Sequence, residues 1–321
     1  MKSMKPELFI DVKGARHFLN WELPQFKKHF TIVHEQSKEA IYLAFGPDAF
    51  QQSSNLQAKR KIAYLFPGFG FNPIHNSETK NWALEKIINE YDAILINQGP
   101  LEIAFATIKK KFICPFSLNT SLISMTKPRT DVKKLLHVSA DYPQKDWKRS
   151  EEIMMLTGLQ YEVFPSRKKT KTKNSLKKRC FQVFNRCLRK IRIPYQIYLL
   201  PDSYVSHHET IKKYNAYDGF VHIASECKDP LHIDGKYTAC LLEAGLTGAI
   251  LFWHDTFKLG NNLETVFSCS ERPEIASKQI LDIIKSIDIK RHSKETREEI
   301  YDKFNCANSV DIRANIIKGL L

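Results

Sequence analysis

The chain has 321 residues, enough for two modest domains or one large one. With 43% hydrophobic and 26% charged residues it is a globular chain, which excludes an intrinsically disordered one. Net charge is +14, but residues 167–192 alone hold twelve Lys/Arg and no Asp/Glu, so the remainder is close to neutral. The charge therefore belongs to one local device and says little about the fold.

No apolar run reaches the roughly eighteen residues of a spanning helix, and the first residues lack the pattern of a secretory signal. The seven cysteines are odd in number and none forms a CxxC pair. Free thiols in a reducing cytosol fit better than a disulfide framework or a zinc site.

In chain order, strand signals fall at 8–12, 31–34, 40–45, 61–66, 93–97 and 112–115. A helix over 81–91 carries Leu84, Ile87 and Ile88 on one face. Alternating strands and helices predict a mostly parallel sheet. Ser, Thr and Pro crowd 117–130, which reads as a linker between a domain of residues 1–130 and one of residues 131–321. A second α/β unit follows, with a strand at 134–139, a helix at 147–157 and a strand at 161–165. After the basic segment come a strand at 196–200 and a short helix at 206–214, capped by Ser206 with Glu209 three residues on. Helices at 272–287 and 293–321 close the chain.

The densest stretch is 217–255. Residues 219–224 form an apolar strand ending in Ser225, and a loop with Glu226, Asp229, His232 and Asp234 follows. A helix at 237–246 has Glu243 as its only acid, Gly248 is placed to end it, and 249–253 is a buried strand. A loop at a strand's carboxyl end that feeds a helix N-terminus is where open α/β sheets bind phosphorylated ligands.

Four segments carry a resemblance. They are LLHVSADYPQKDWKRSEEI (135–153), YVSHHETIKKYNAYDGFVHIAS (204–225), LLEAGLTGAILFW (241–253) and EEIYDKFNCANSVDIRANIIKGL (298–320). Together they resemble the nucleotide-binding half of GT-B glycosyltransferases of the retaining family 4 type. The resemblance implies an α/β fold of two Rossmann-like domains facing across a cleft. The first domain would bind the acceptor and the second the nucleotide sugar, with the last helix packing back on the first domain.

The resemblance also implies site residues. Lys145 falls at the lysine that contacts donor phosphates, with Lys148 and Arg149 as neighbours of the same charge. Glu243 falls at the second of two glutamates with seven residues between them and would hold the ribose hydroxyls. The first of the pair is displaced: Gly235 stands eight before Glu243, which leaves Asp234 or Glu226 for the acid facing the donor sugar.

The residues admit plainer readings beside these. Glu243 is an ordinary helix acid or, in its apolar setting, a bidentate acceptor for two hydroxyls. Asp234 is a helix N-cap or a turn residue at a phosphate site, with Lys236 and Tyr237 behind it and Ser206 capping the neighbouring helix. His75, in the loop PGFGFNPIHNSE, is a solvated loop residue or an acid/base for an acceptor hydroxyl. His207 and His208 lack helical ligand spacing, so no catalytic metal and no cofactor beyond the nucleotide sugar is expected.

The basic segment has a polar run, RKKTKTK, and a helix-like part, SLKKRCFQVFNRCLRKIRI. In the latter, Leu176, Cys180, Phe184, Leu188 and Ile191 form an apolar stripe. Lys177, Lys178, Arg179, Arg186, Arg189 and Lys190 form the other face, suited to an anionic membrane surface at about 1 kcal/mol per charge. A helix packed on the domain comes second and a nucleic-acid patch third.

The expected function is sugar transfer from a nucleotide sugar to a hydroxyl of a glycan or lipid-linked glycan of the lipopolysaccharide or capsule kind. The expected place is the cytoplasm, peripheral on the inner face of the membrane. A DNA-modifying glycosyltransferase and an inactive scaffold in a glycan assembly complex are the alternatives.

Overall fold

The computed structural model describes residues 5–13, 16–53, 57–66, 77–97, 99–139, 145–165, 206–224 and 236–321. They build two parallel sheets joined in series. The first contains β1 (Glu7–Val12), β2 (Thr31–Val33), β3 (Ile41–Phe45), β4 (Arg60–Leu65), β5 (Ala93–Asn97) and β6 (Lys111–Cys114), in the order β2-β1-β3-β4-β5-β6. The second contains β7 (Lys134–Val138), β8 (Gln160–Phe164), β9 (Gly219–His222), β10 (Ile250–Trp253) and β11 (Val266–Ser268), in the order β11-β10-β9-β7-β8. Every strand pairing is parallel, as alternating β and α signals require.

The fully apolar strands are buried on both faces. In the first sheet, Leu8, Ile41, Leu43, Ile62 and Leu95 pack under α1 (Arg16–His29) and, from the far end of the chain, α10 (Cys306–Gly319). Tyr42, Ala44, Ala63, Ile94 and Ile96 face the other way, onto α2 (Pro47–Gln52), α3 (Ser77–Glu90) and α4 (Pro100–Ala104). The second sheet alternates likewise. Leu136, Phe220, Leu251 and Trp253 meet α7 (Ala239–Leu246) and Ile300 of α9 (Ile289–Phe304). Leu135, Val221, Ile250 and Phe252 meet α5 (Trp147–Leu156) and α8 (Pro273–Ser286). The remaining described helix is α6 (His207–Ala216).

Expected and observed elements differ in six places. α1, α2 and α4 were not predicted as helices, and the three-residue β11 was missed. The helix expected at 237–246 begins at Ala239, with Thr238 as its N-cap accepting from Leu241 N at 3.2 Å. The last helical region, expected at 293–321, is two helices divided at Asn305, which ends α9 and caps α10 by accepting from Asn308 N at 2.9 Å. The strand expected at 196–200 lies outside the described residues.

α10 belongs to the second half in sequence and to the first in space. Arg313 on α10 is fully buried and forms a two-pronged pair with Glu22 of α1, 2.7 Å on each prong, with Glu22 only 2% exposed. Its guanidinium also lies 4.3 Å from the Tyr64 ring centroid and donates to Ser117 in the linking segment. Asp311 meets His29 at 2.7 Å, and Lys318 Nζ donates to His29 Nδ1 at 3.0 Å. A short parallel bridge of Leu118 with Asn305 fastens the linking segment to the same helix end.

Candidate functional site

In the second sheet the chain leaves β7 toward β8 on one side and returns to β9 on the other. The order therefore reverses between β7 and β9, where doubly wound sheets open a crevice at their carboxyl ends. Two histidines sit there. His137 of β7 and His222 of β9 stack with ring centroids 5.4 Å apart and planes 6° apart. His137 Nδ1 lies 2.8 Å from the Val221 carbonyl, which only accepts, so Nδ1 carries the proton. Nε2 lies 2.9 Å from the Ser139 hydroxyl oxygen.

His222 is 6% exposed and its Nδ1 is buried without a hydrogen-bond partner. Burial, and then the nearby positive charge of Lys145, push its pKa down to about 3, so the ring is neutral at physiological pH.

Lys145 is half-buried just past β7, ahead of α5. The two cations grouped with it in sequence have other settings. Arg149 donates to the Asp146 carboxylate at 2.6 Å and to the Glu271 carbonyl at 2.9 Å, tying α5 to the approach of α8. Lys148 is exposed and lies over the Trp147 ring at 5.9 Å. Of the three, Lys145 is the one whose charge reaches the strand-end histidine.

Glu243 is brought in by α7 and is 8% exposed. Both oxygens are engaged. Oε1 lies 2.9 Å from His207 Nε2, and Oε2 accepts from the Tyr214 hydroxyl at 3.3 Å. Both partners come from α6, whose start is set by the predicted capping box: Ser206 accepts from Glu209 N, and the Glu209 carboxylate accepts from Ser206 N. Ser206 itself is exposed and occupied as a cap. The hydrogen bond to Glu243 raises the His207 pKa, against partial burial, which lowers it. The His207 ring also stacks on Trp21 of α1, centroids 6.3 Å apart and planes 23° apart. The first half of the chain thus touches the residue that holds Glu243.

Lys236 and Tyr237 face a loop rather than α7. Lys236 Nζ donates to Asn262 Oδ1 at 2.7 Å and to the Leu259 carbonyl at 3.4 Å, and burial lowers its pKa. The Tyr237 hydroxyl donates to Asn261 Oδ1 at 2.6 Å and accepts from Asn262 N at 2.9 Å, while its ring packs on Trp253 at 5.0 Å. Gly99, after β5 in the other half, approaches this point closely. Its φ is +137°, and a Cβ there would lie 2.6 Å from Lys236 N.

His75, Glu226 and Asp234 lie outside the described residues, as do Lys177, Lys178, Arg179, Arg186, Arg189 and Lys190. The structure brings Lys145 to His222 and Glu243 to His207. It gives Ser206, Arg149, Lys236 and Tyr237 structural partners. Sequence reasoning missed His137, His222 and Trp21, and weighed His207 only as a metal ligand. The signal for the first two was present: histidines at the ends of two apolar runs, LLHVS and GFVHIA. Among the described residues no group of three or more His, Cys, Asp or Glu is placed to hold a metal ion.

Two parallel α/β sheets in series, with the last helix returned to the first, define the GT-B fold of two Rossmann-like domains. Solved structures of that fold align along the chain. HepE of Anabaena, solved in complex with UDP and glucose, matches with a TM-score of 0.63 and 11% identity over 98% of this chain and 99% of its own. TarM of S. aureus, solved as a mutant with Fondaparinux, alpha-GlcNAc-glycerol and UDP, gives 0.59 and 12% over 88% of this chain and 56% of its own. AviGT4, a glycosyltransferase involved in Avilamycin A biosynthesis, gives 0.54 and 8% over 98% of each chain. No protein-family model and no curated protein sequence matches the chain.

Proposed function

We propose that the protein is a glycosyltransferase that moves a sugar from a UDP-sugar to a hydroxyl of a glycan or lipid-linked glycan, with retention of anomeric configuration. One observation carries the reading. A nearly enclosed carboxylate, Glu243 on the helix that runs from β9 to β10, is held by two donors, in a chain that aligns end to end with a UDP-bound GT-B structure. In this reading Glu243 accepts the ribose hydroxyls and Lys145 meets the diphosphate. The bond from anomeric carbon to phosphate oxygen breaks as the acceptor oxygen bonds to that carbon. The negative charge that develops on the leaving phosphate is met by Lys145 and by helix N-termini. Glu226 or Asp234 faces the donor sugar, and His75 takes the acceptor proton.

The stretch 167–192 rests on an anionic membrane surface and brings the enzyme to a lipid-linked acceptor, a precursor of lipopolysaccharide or capsule. UDP release from UDP-sugars tests the chemistry. The wild type releases UDP slowly even with water as acceptor, and Lys145→Ala lowers kcat/KM by about tenfold or more, as loss of one charged transition-state contact predicts. Absence of release from every UDP-sugar tried, by folded protein, would sink the enzymatic reading. Sedimentation with phosphatidylglycerol vesicles that weakens as salt rises checks the surface.

A further inference from the structure

Glu243 has more structure around it than a ribose acid requires. A carboxylate offers about four lone-pair sites. His207 takes one on Oε1 and Tyr214 takes one on Oε2, so each oxygen keeps a site open. A vicinal diol, which presents two hydroxyl donors side by side, matches that pair of remaining sites. The two protein donors also fix the rotation of the carboxylate, because each oxygen is held separately.

His207 is itself held from two sides. Glu243 engages its edge through Nε2, and Trp21 of α1 covers its face. The capping box of α6 sets its backbone. Among the described residues, Glu243 is the titratable group that acts on His207, while Tyr214 on α6 is acted on by Glu243 and by Cys240 on α7.

We propose that His207 is a positioning residue for the nucleotide: it orients Glu243 so that its open lone pairs meet the ribose 2′- and 3′-hydroxyls. The proposal rests on the donor reading of Glu243 given above. It places the selection of ribose over deoxyribose in a contact that neither sugar nor phosphate touches.

The test compares UDP with 2′-deoxy-UDP by isothermal titration against wild type, His207→Gln and His207→Leu. The glutamine amide can donate where Nε2 does; leucine cannot. The wild type is expected to prefer UDP by about tenfold, the value of one hydrogen bond to a charged group. His207→Gln keeps that preference. His207→Leu weakens UDP by about tenfold more than 2′-deoxy-UDP, which has only the 3′-hydroxyl contact left to lose, so the preference collapses. Equal weakening of both ligands by His207→Leu means the residue supports the fold only, and overturns the proposal. So does a preference that His207→Leu leaves intact. If the wild type binds no UDP, the donor reading fails and this proposal with it. Binding with a preference indifferent to His207 overturns the positioning role alone.

Discussion

His222 shows how burial sets the chemistry of one side chain. An imidazole with an ordinary pKa near 6.5 is partly charged in weak acid. Here burial, with Lys145 close by, depresses the pKa to about 3 and keeps the ring neutral. The unfolded chain therefore binds a proton between about pH 6.5 and 3 that the folded chain refuses. Stability from this residue is fully present above pH 6.5 and is lost as pH falls through that window, by about 2 kcal/mol at pH 5. His222→Phe, which keeps a ring against His137, should flatten the decline in unfolding free energy between pH 7 and 5 by that order. A variant as acid-sensitive as wild type would show that His222 titrates normally.

At the scale of elements, the pairing of α1 with α10 holds the end of the chain to its beginning. Arg313 and Glu22 are buried together, so removing one leaves the other charged and unpaired in an apolar layer. Burial, the largest effect, would lower the arginine's pKa; Glu22, with Tyr64 and Cys114, offsets it and the net shift is upward. Arg313→Met should cost about 3–5 kcal/mol in urea unfolding, and adding Glu22→Leu should restore much of it. A loss below about 1 kcal/mol for the single variant would mean that water reaches the pair.

All strands but β11 were legible because most are short apolar runs with turn residues after them. α1 was not, although Leu19, Leu23, Phe26 and Phe30 keep helical spacing: Pro24 interrupts the pattern. In the fold that proline stands on the exposed side, and the apolar face is held by Val310, Ala314 and Ile317 of α10. Tertiary packing outweighs the proline, and packing with a partner nearly 300 residues away cannot be read from a window. The division of α9 from α10 was invisible for the converse reason. Asn305 is an ordinary polar residue until its side chain caps the next helix.

Across the whole molecule, the two halves meet at many described places, among them Trp21 on His207, Gly99 against Lys236, Leu118 beside Asn305, and α1 against α10. The first two touch residues around the proposed donor site: His207, which holds Glu243, and Lys236. Glu243 can be proposed from sequence because the motif around it is local. His207 lies 36 positions away and His222 is a core strand residue, so their roles emerge only when α6, α7 and β9 are placed together.

The central claim is that Glu243 and its surroundings form a nucleotide site. It is tested most directly by the unfolding temperature of wild type and Glu243→Gln with UDP, GDP, CMP and TDP. We predict that UDP stabilises the wild type, by about 2.7 kcal/mol at a hundredfold excess over Kd, and that Glu243→Gln loses most of that gain while remaining folded. A wild type that no nucleotide stabilises, or a UDP shift unchanged in Glu243→Gln, would contradict it.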